Sequence, residues 1–135
     1  MKRKLILSLI LAFLVSLVNA QVVKVGESQI AEQLCNQGVM LLESGDLQGA
    51  LIKFNDAISV KSNFAEAYYQ RAMTKLKMGL YDDALMDINK ALSIETNGTY
   101  YYGRGMVKQE KGDLDGALLD YNAAINTDPN LAEAY

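Results

Sequence analysis

Arg71 and Asp87 have counterparts further along the chain in Arg104 and Asp120, at the same spacing. A guanidinium and a carboxylate held at a fixed separation can do one of two things. They can form an ion pair that fixes packing, or the arginine can anchor an anionic ligand. An exposed pair is worth only about 0–1 kcal/mol, whereas a partly buried one costs several kcal/mol to break from one side. Arginine and aspartate appear together or not at all in this chain. Where the pattern would recur upstream, Gln37 and Lys53 stand instead. That pairing favours the packing role.

Other side chains that could carry chemistry are few. Cys35 is the single cysteine, so no intramolecular disulfide can form. It is read as a small apolar filler, the alternative being a thiol open to an intermolecular disulfide in an oxidising compartment. The chain has no histidine. Histidine-based metal sites, histidine triads and haem attachment through Cys-x-x-Cys-His are therefore excluded, and no glycine-rich phosphate loop is present. Asn97-Gly98-Thr99 satisfies a glycosylation sequon, but Asn-Gly is also a strong turn signal and the turn is taken as its explanation. No catalytic residue, no metal ligand set and no cofactor are expected.

The elements that place these residues recur. The segments 45–58, 79–92 and 112–125 align, with Gly45, Gly79 and Gly112 matching, then Ala50, Ala84 and Ala117, then Ala57, Ala91 and Ala124. A period of about 34 residues marks a solenoid, in which each unit buries its apolar face by stacking on its neighbours. With Ala31, Ala65 and Gly98 as position 1, position 8 is small (Gly38, Ala72, Gly105) and position 24 is large (Phe54, Ile88, Tyr121). Small residues facing large ones let two helices cross closely. The glycine at position 15 ends the first helix of each unit, since a left-handed residue there is usually glycine. Asp46 and Asp113 follow it as N-caps, while Leu80 in the second unit cannot cap in that way. The arginines fall at position 7 and the aspartates at position 23, on different helices of the pair.

These positions resemble the tetratricopeptide repeat, over roughly residues 31–135. The resemblance implies an all-α, right-handed α-solenoid of helix-turn-helix repeats, with units at 31–64, 65–97 and 98–131 and the start of a fourth at 132–135. Departures are local: position 11, often tyrosine in the family, is Leu41, Lys75 and Lys108, and the second unit is one residue short. In this family the first helix of each unit lines a concave face through positions 2, 5, 9 and 12. Here the apolar and aromatic part of that set is Val39, Leu42, Tyr69, Met73, Leu76, Tyr102 and Met106. The implied function is binding of a protein or peptide through an apolar groove, without catalysis. Some of these side chains also belong to hairpin packing. Some relatives hold a terminal carboxylate with basic groove residues. Cys35, Val39, Gln70, Thr99 and Gly103 stand there instead, so that activity is not carried over.

The amino terminus reads as a signal peptide, residues 1–20, in preference to an uncleaved membrane anchor. Lys2-Arg3-Lys4 precedes an apolar run from Leu5 to Val18, and Val18-Asn19-Ala20 offers a small-residue cleavage site. The expected product is exported, periplasmic or secreted, and leaves the membrane once the signal is removed. It retains ten basic against sixteen acidic side chains, a net charge of −6. Nothing basic clusters, so nucleic acid is a poor partner. Residues 21–30 lack a helical pattern and are read as a tether, or else as a short extension of the first helix. The third unit's second helix would leave Leu118 or Ile125 uncapped, which opens two further roles. One is self-association through that face. The other is an amino-terminal docking or oligomerisation arm of a longer enzyme or cell-envelope machine.

Overall fold

Each hairpin turns at a glycine because only glycine takes the left-handed backbone there without a Cβ penalty. Gly45, Gly79 and Gly112 have φ of 87°, 75° and 92°. The chain then folds back on the preceding helix: the Gly45 N–H donates to the Leu42 carbonyl and the Asp46 N–H to that of Leu41. The same two bonds recur at Gly79 with Leu80 and at Gly112 with Asp113. Asp46 caps the next helix by accepting from the Gly49 N–H at 2.9 Å, and Asp113 from the Gly116 N–H at 3.0 Å. Leu80 makes no side-chain cap, and Asp82 and Asp83 occupy that first turn, where negative charge suits the helix dipole.

The computed structural model describes residues 2–131, which form six helices and no strand. They are α1 (Lys2–Glu43), α2 (Leu47–Val60), α3 (Ala65–Lys77), α4 (Tyr81–Ile94), α5 (Gly98–Lys111) and α6 (Leu114–Thr127). α1 pairs with α2, α3 with α4 and α5 with α6; α2 then packs on α3 and α4 on α5. The odd-numbered helices also touch along the stack, α1 with α3 and α3 with α5, forming one row. The chain is an all-α solenoid of stacked helical hairpins.

The core follows the small-against-large pattern. Phe54 and Ile88 are fully buried, as are Ala50, Ala57, Ala72, Ala84 and Ala91. A Cβ added to Gly38 would fall 2.5 Å from Phe54 Cε1, and one added to Gly105 would fall 2.5 Å from Tyr121 Cε1. Position 8 is small because the ring at position 24 occupies the space.

Two expectations are corrected. Residues 21–30 are helical and continuous with the first repeat helix, so the extension holds and the tether does not. Helix propagation past Gly26 costs little once flanking turns exist. From Leu5 to Val25 this helix is exposed throughout. Its apolar part is long and apolar enough to cross a membrane, a test that signal sequences also pass. Asn97-Gly98, read as a turn, is a helix start: Asn97 has extended backbone and accepts from the Thr99 N–H at 2.8 Å. Gly98 is required by proximity, since a Cβ there would meet Leu131 Cδ1 at 2.7 Å and the Ala124 carbonyl at 3.0 Å. The expected start of a fourth unit at 132–135 lies outside the described residues.

Candidate functional site

The arginines hold the hairpins and are not available to a ligand. Arg71 donates from Nε to Asp87 Oδ2 at 2.8 Å and from Nη2 to Oδ1 at 2.6 Å. Its Nη1 donates to Asn55 Oδ1 at 2.7 Å, on α2 of the preceding unit. Arg104 repeats this with Asp120 at 2.9 and 2.7 Å and with Asn89 at 2.8 Å. All three nitrogens of each guanidinium are engaged. The two lysines noted as departures join in: Lys75 lies 2.8 Å from Asp87, and Lys108 2.8 Å from Asp120. Both aspartates are buried. Burial pushes the Asp120 carboxyl up, but the hydrogen bonds from Arg104 and Lys108 outweigh it and hold the group below its ordinary value. The Arg104 guanidinium is shifted up by its hydrogen bond to Asp120.

Cys35 is buried in the first core cluster with Ala50, Phe54 and Ala57. Burial, and then the charge of Glu66, push its thiol up to about 12. A buried thiol kept protonated is a filler, not a reactive group.

The seven candidate groove residues all lie on the row of odd-numbered helices and all are half-buried. They divide into three sets. Val39 and Leu42 pack on the Cys35 cluster. Tyr69 and Met73 close over Gly103 of the next unit, and the Tyr69 ring lies 4.9 Å from that of Tyr100. Leu76, Tyr102 and Met106 come together in an open pocket completed by Gln109, Glu110 and Tyr121. The Tyr102 and Tyr121 rings are 5.4 Å apart and tilted by 41°. Tyr121 donates to Gln109 Oε1 at 2.7 Å. Its phenol is shifted up by burial first, then by Tyr102 and the nearby Glu110 carboxylate.

Glu110, like Tyr121, is a pocket residue that the family's groove positions do not point to. Its signal in the sequence was its spacing, four residues after Met106 and therefore on the same helix face. Towards the other end of the row, Glu66 in the first turn of α3 accepts from Gln70 at 2.5 Å and from the Tyr100 hydroxyl at 3.3 Å. The Tyr100 phenol is shifted strongly up by burial and then by Glu66. Among the described residues no group of three or more histidine, cysteine, aspartate or glutamate side chains could hold a metal ion.

Residues 65–97 and 98–131 match the Tetratricopeptide repeat family. Tetratricopeptide repeat protein 36 of Danio rerio is 48% identical over 62 residues, which cover 46% of this chain and 33% of that protein. The chain thus spans about a third of that relative's length. Among solved structures, the first TPR of Spaghetti (RPAP3) bound to HSP90 peptide SRMEEVD superposes with a TM-score of 0.73 at 21% identity, covering 76% of this chain and 82% of that one. The Arabidopsis OM64 TPR domain superposes with a TM-score of 0.74 at 22% identity, covering 77% of this chain and 87% of that one.

Proposed function

We propose that this tetratricopeptide-repeat solenoid is an exported, non-catalytic binding module that takes a protein or peptide along its row of odd-numbered helices. The observation that carries the reading is the open pocket where Leu76, Tyr102 and Met106 meet between two repeats, beside the half-buried Tyr69 and Met73. Tyrosine is a common interface anchor, and methionine adapts to irregular partners. The Spaghetti TPR domains bound to an HSP90 peptide support a peptide partner in kind. Export rests on the basic start, the exposed apolar helix and the small residues before Gln21.

Capture with the mature chain 21–135, alongside a Tyr102→Ala variant, tests the binding reading. A partner retained by the first and lost by the second supports it; equal retention sinks it. Amino-terminal sequencing of the exported fraction should begin at Gln21. Recovery of an intact Met1 form in the membrane pellet would overturn the export reading.

A second reading, a docking or self-associating arm of a longer enzyme or envelope machine, is favoured by α6. Leu114, Leu118 and Ile125 are exposed there, at positions half-buried in the earlier units as Leu47, Leu51 and Ile58, and as Tyr81, Leu85 and Leu92. Asn122 stands where Asn55 and Asn89 each receive an arginine from the next unit. Sedimentation of the chain against a Leu118→Glu variant separates this from a monomeric binding module.

A further inference from the structure

We infer that the groove selects a cationic apolar peptide, and that the pocket between Tyr102, Tyr121 and Glu110 receives its lysine or arginine side chain. The inference rests on the groove reading above and adds the chemistry of the partner.

The first argument is charge. The inner-row positions carry Glu32 and Glu66 and no lysine or arginine, and the pocket adds Glu110. Five of the six basic side chains of α3 and α5 are held in ion pairs, Arg71 and Lys75 on Asp87, Arg104 and Lys108 on Asp120, Lys111 on Asp82; the sixth, Lys77, is exposed at the end of α3. Glu32, Glu66 and Glu110 take part in no ion pair among the described residues. An acidic peptide would meet the Glu110 carboxylate at the pocket, with Glu32 and Glu66 further along the row, whereas a basic one would be attracted to them.

The second argument is shape. Lysine and arginine carry an apolar stem and a charged end, and they bury the one while keeping the other solvated. Leu76 and Met106 offer apolar walls for the stem. Tyr102 and Tyr121, their ring centroids 5.4 Å apart, both line the opening and supply aromatic surface of the kind that attracts a cation, and Glu110 supplies the counter-charge there. Gln109 is held by Tyr121 and adds a polar wall. The volume, about 310 Å³, admits one long side chain.

The test is calorimetric titration of the mature chain 21–135 with three synthetic amphipathic peptides that differ at one central residue, lysine, glutamine or glutamate. The lysine peptide should bind about three- to tenfold more tightly than the glutamine peptide, and the glutamate peptide most weakly. Glu110→Gln should erase the lysine preference. Asp56→Asn, an exposed acid on α2 away from the pocket, should leave it intact. Equal affinity for the three peptides, with loss of binding in Tyr102→Ala, overturns the charge selection and leaves the groove reading standing. A lysine preference reduced equally by both acid substitutions also overturns it, because the overall negative field then suffices. No binding by any of the three overturns the groove reading as well.

Discussion

Tyr69 and Gly103 belong to adjacent repeats, and between them there is no room for a methyl group: a Cβ on Gly103 would fall 2.6 Å from Tyr69 Cε2. One of the proposed groove anchors is therefore also part of the joint between the second and third units. Gly103→Ala sets a gain of about 1 kcal/mol in helix propensity against an overpacking cost of about 1–3 kcal/mol. A net loss of about 1 kcal/mol is expected in urea unfolding. A more stable variant would mean the Tyr69 ring moves aside freely.

The two tyrosine truncations should separate. Tyr102→Ala acts at the pocket and should weaken peptide binding by about 1–2 kcal/mol, with a smaller stability loss from its one ring contact with Tyr121. Tyr69→Ala also removes packing on Tyr100 and Gly103, so it should lower stability by about 1–2 kcal/mol as well. Binding and unfolding measured on both variants check this. Equal stability losses would show that the pocket tyrosine is structural too.

Arg104 and Asp120 should couple. The aspartate is buried while the arginine side chain is 23% exposed, so removing the acid strands a guanidinium that can turn to water, and removing the arginine strands a buried carboxylate with Lys108 alone. A double-mutant cycle should give about 1–3 kcal/mol. Coupling near zero would return the pair to an ordinary solvated role.

The same carboxylate makes a pH prediction. Its folded value lies below the ordinary 3.8, so the fold favours the charged form. Its contribution is present in full above that ordinary value and is lost as pH falls through the folded one. The stability difference between the wild type and Asp120→Asn should be large near neutrality and shrink below about pH 4. A difference that stays constant down to about pH 2 would contradict it.

Ala84→Leu tests the repeat register. Ala84 is fully buried in the second core cluster, so the larger side chain should cost about 1–3 kcal/mol in thermal unfolding followed by circular dichroism. An unchanged midpoint would place Ala84 at the surface.

What was legible in the residues was whatever a single hairpin dictates. Gly45, Gly79 and Gly112 announce their turns because no other residue takes that backbone cheaply. Asp46 and Asp113 announce their helices, and Gly38 with Phe54 announces a crossing. Arg71 with Asp87 reads as a pair, but Lys75 stands out in the sequence only as a departure from the family pattern. Its spacing of four from Arg71 already put both cations on one helix face. Asn97-Gly98 misled because the dipeptide suits a turn and a cap equally, and what decides is Leu131 and Ala124 pressing on Gly98, a contact no local pattern reveals. The helical run through 21–30 is hidden for a related reason: its contacts with the end of α2 are polar, Lys61 donating to Ser28 at 3.1 Å, so no apolar periodicity is imposed on it. Glu110 escaped because the pocket draws residues from α3, α5 and α6 together.

The reach of Arg71 to Asn55, and of Arg104 to Asn89, has a consequence for how the array comes apart. Each guanidinium ties its own hairpin and the preceding one through the same side chain. In a linear stack whose stability sums unit terms and nearest-neighbour terms, such a link strengthens the neighbour term without making a unit more stable alone. The three hairpins should then melt as one block, showing a single transition and similar amide-exchange protection across the seams.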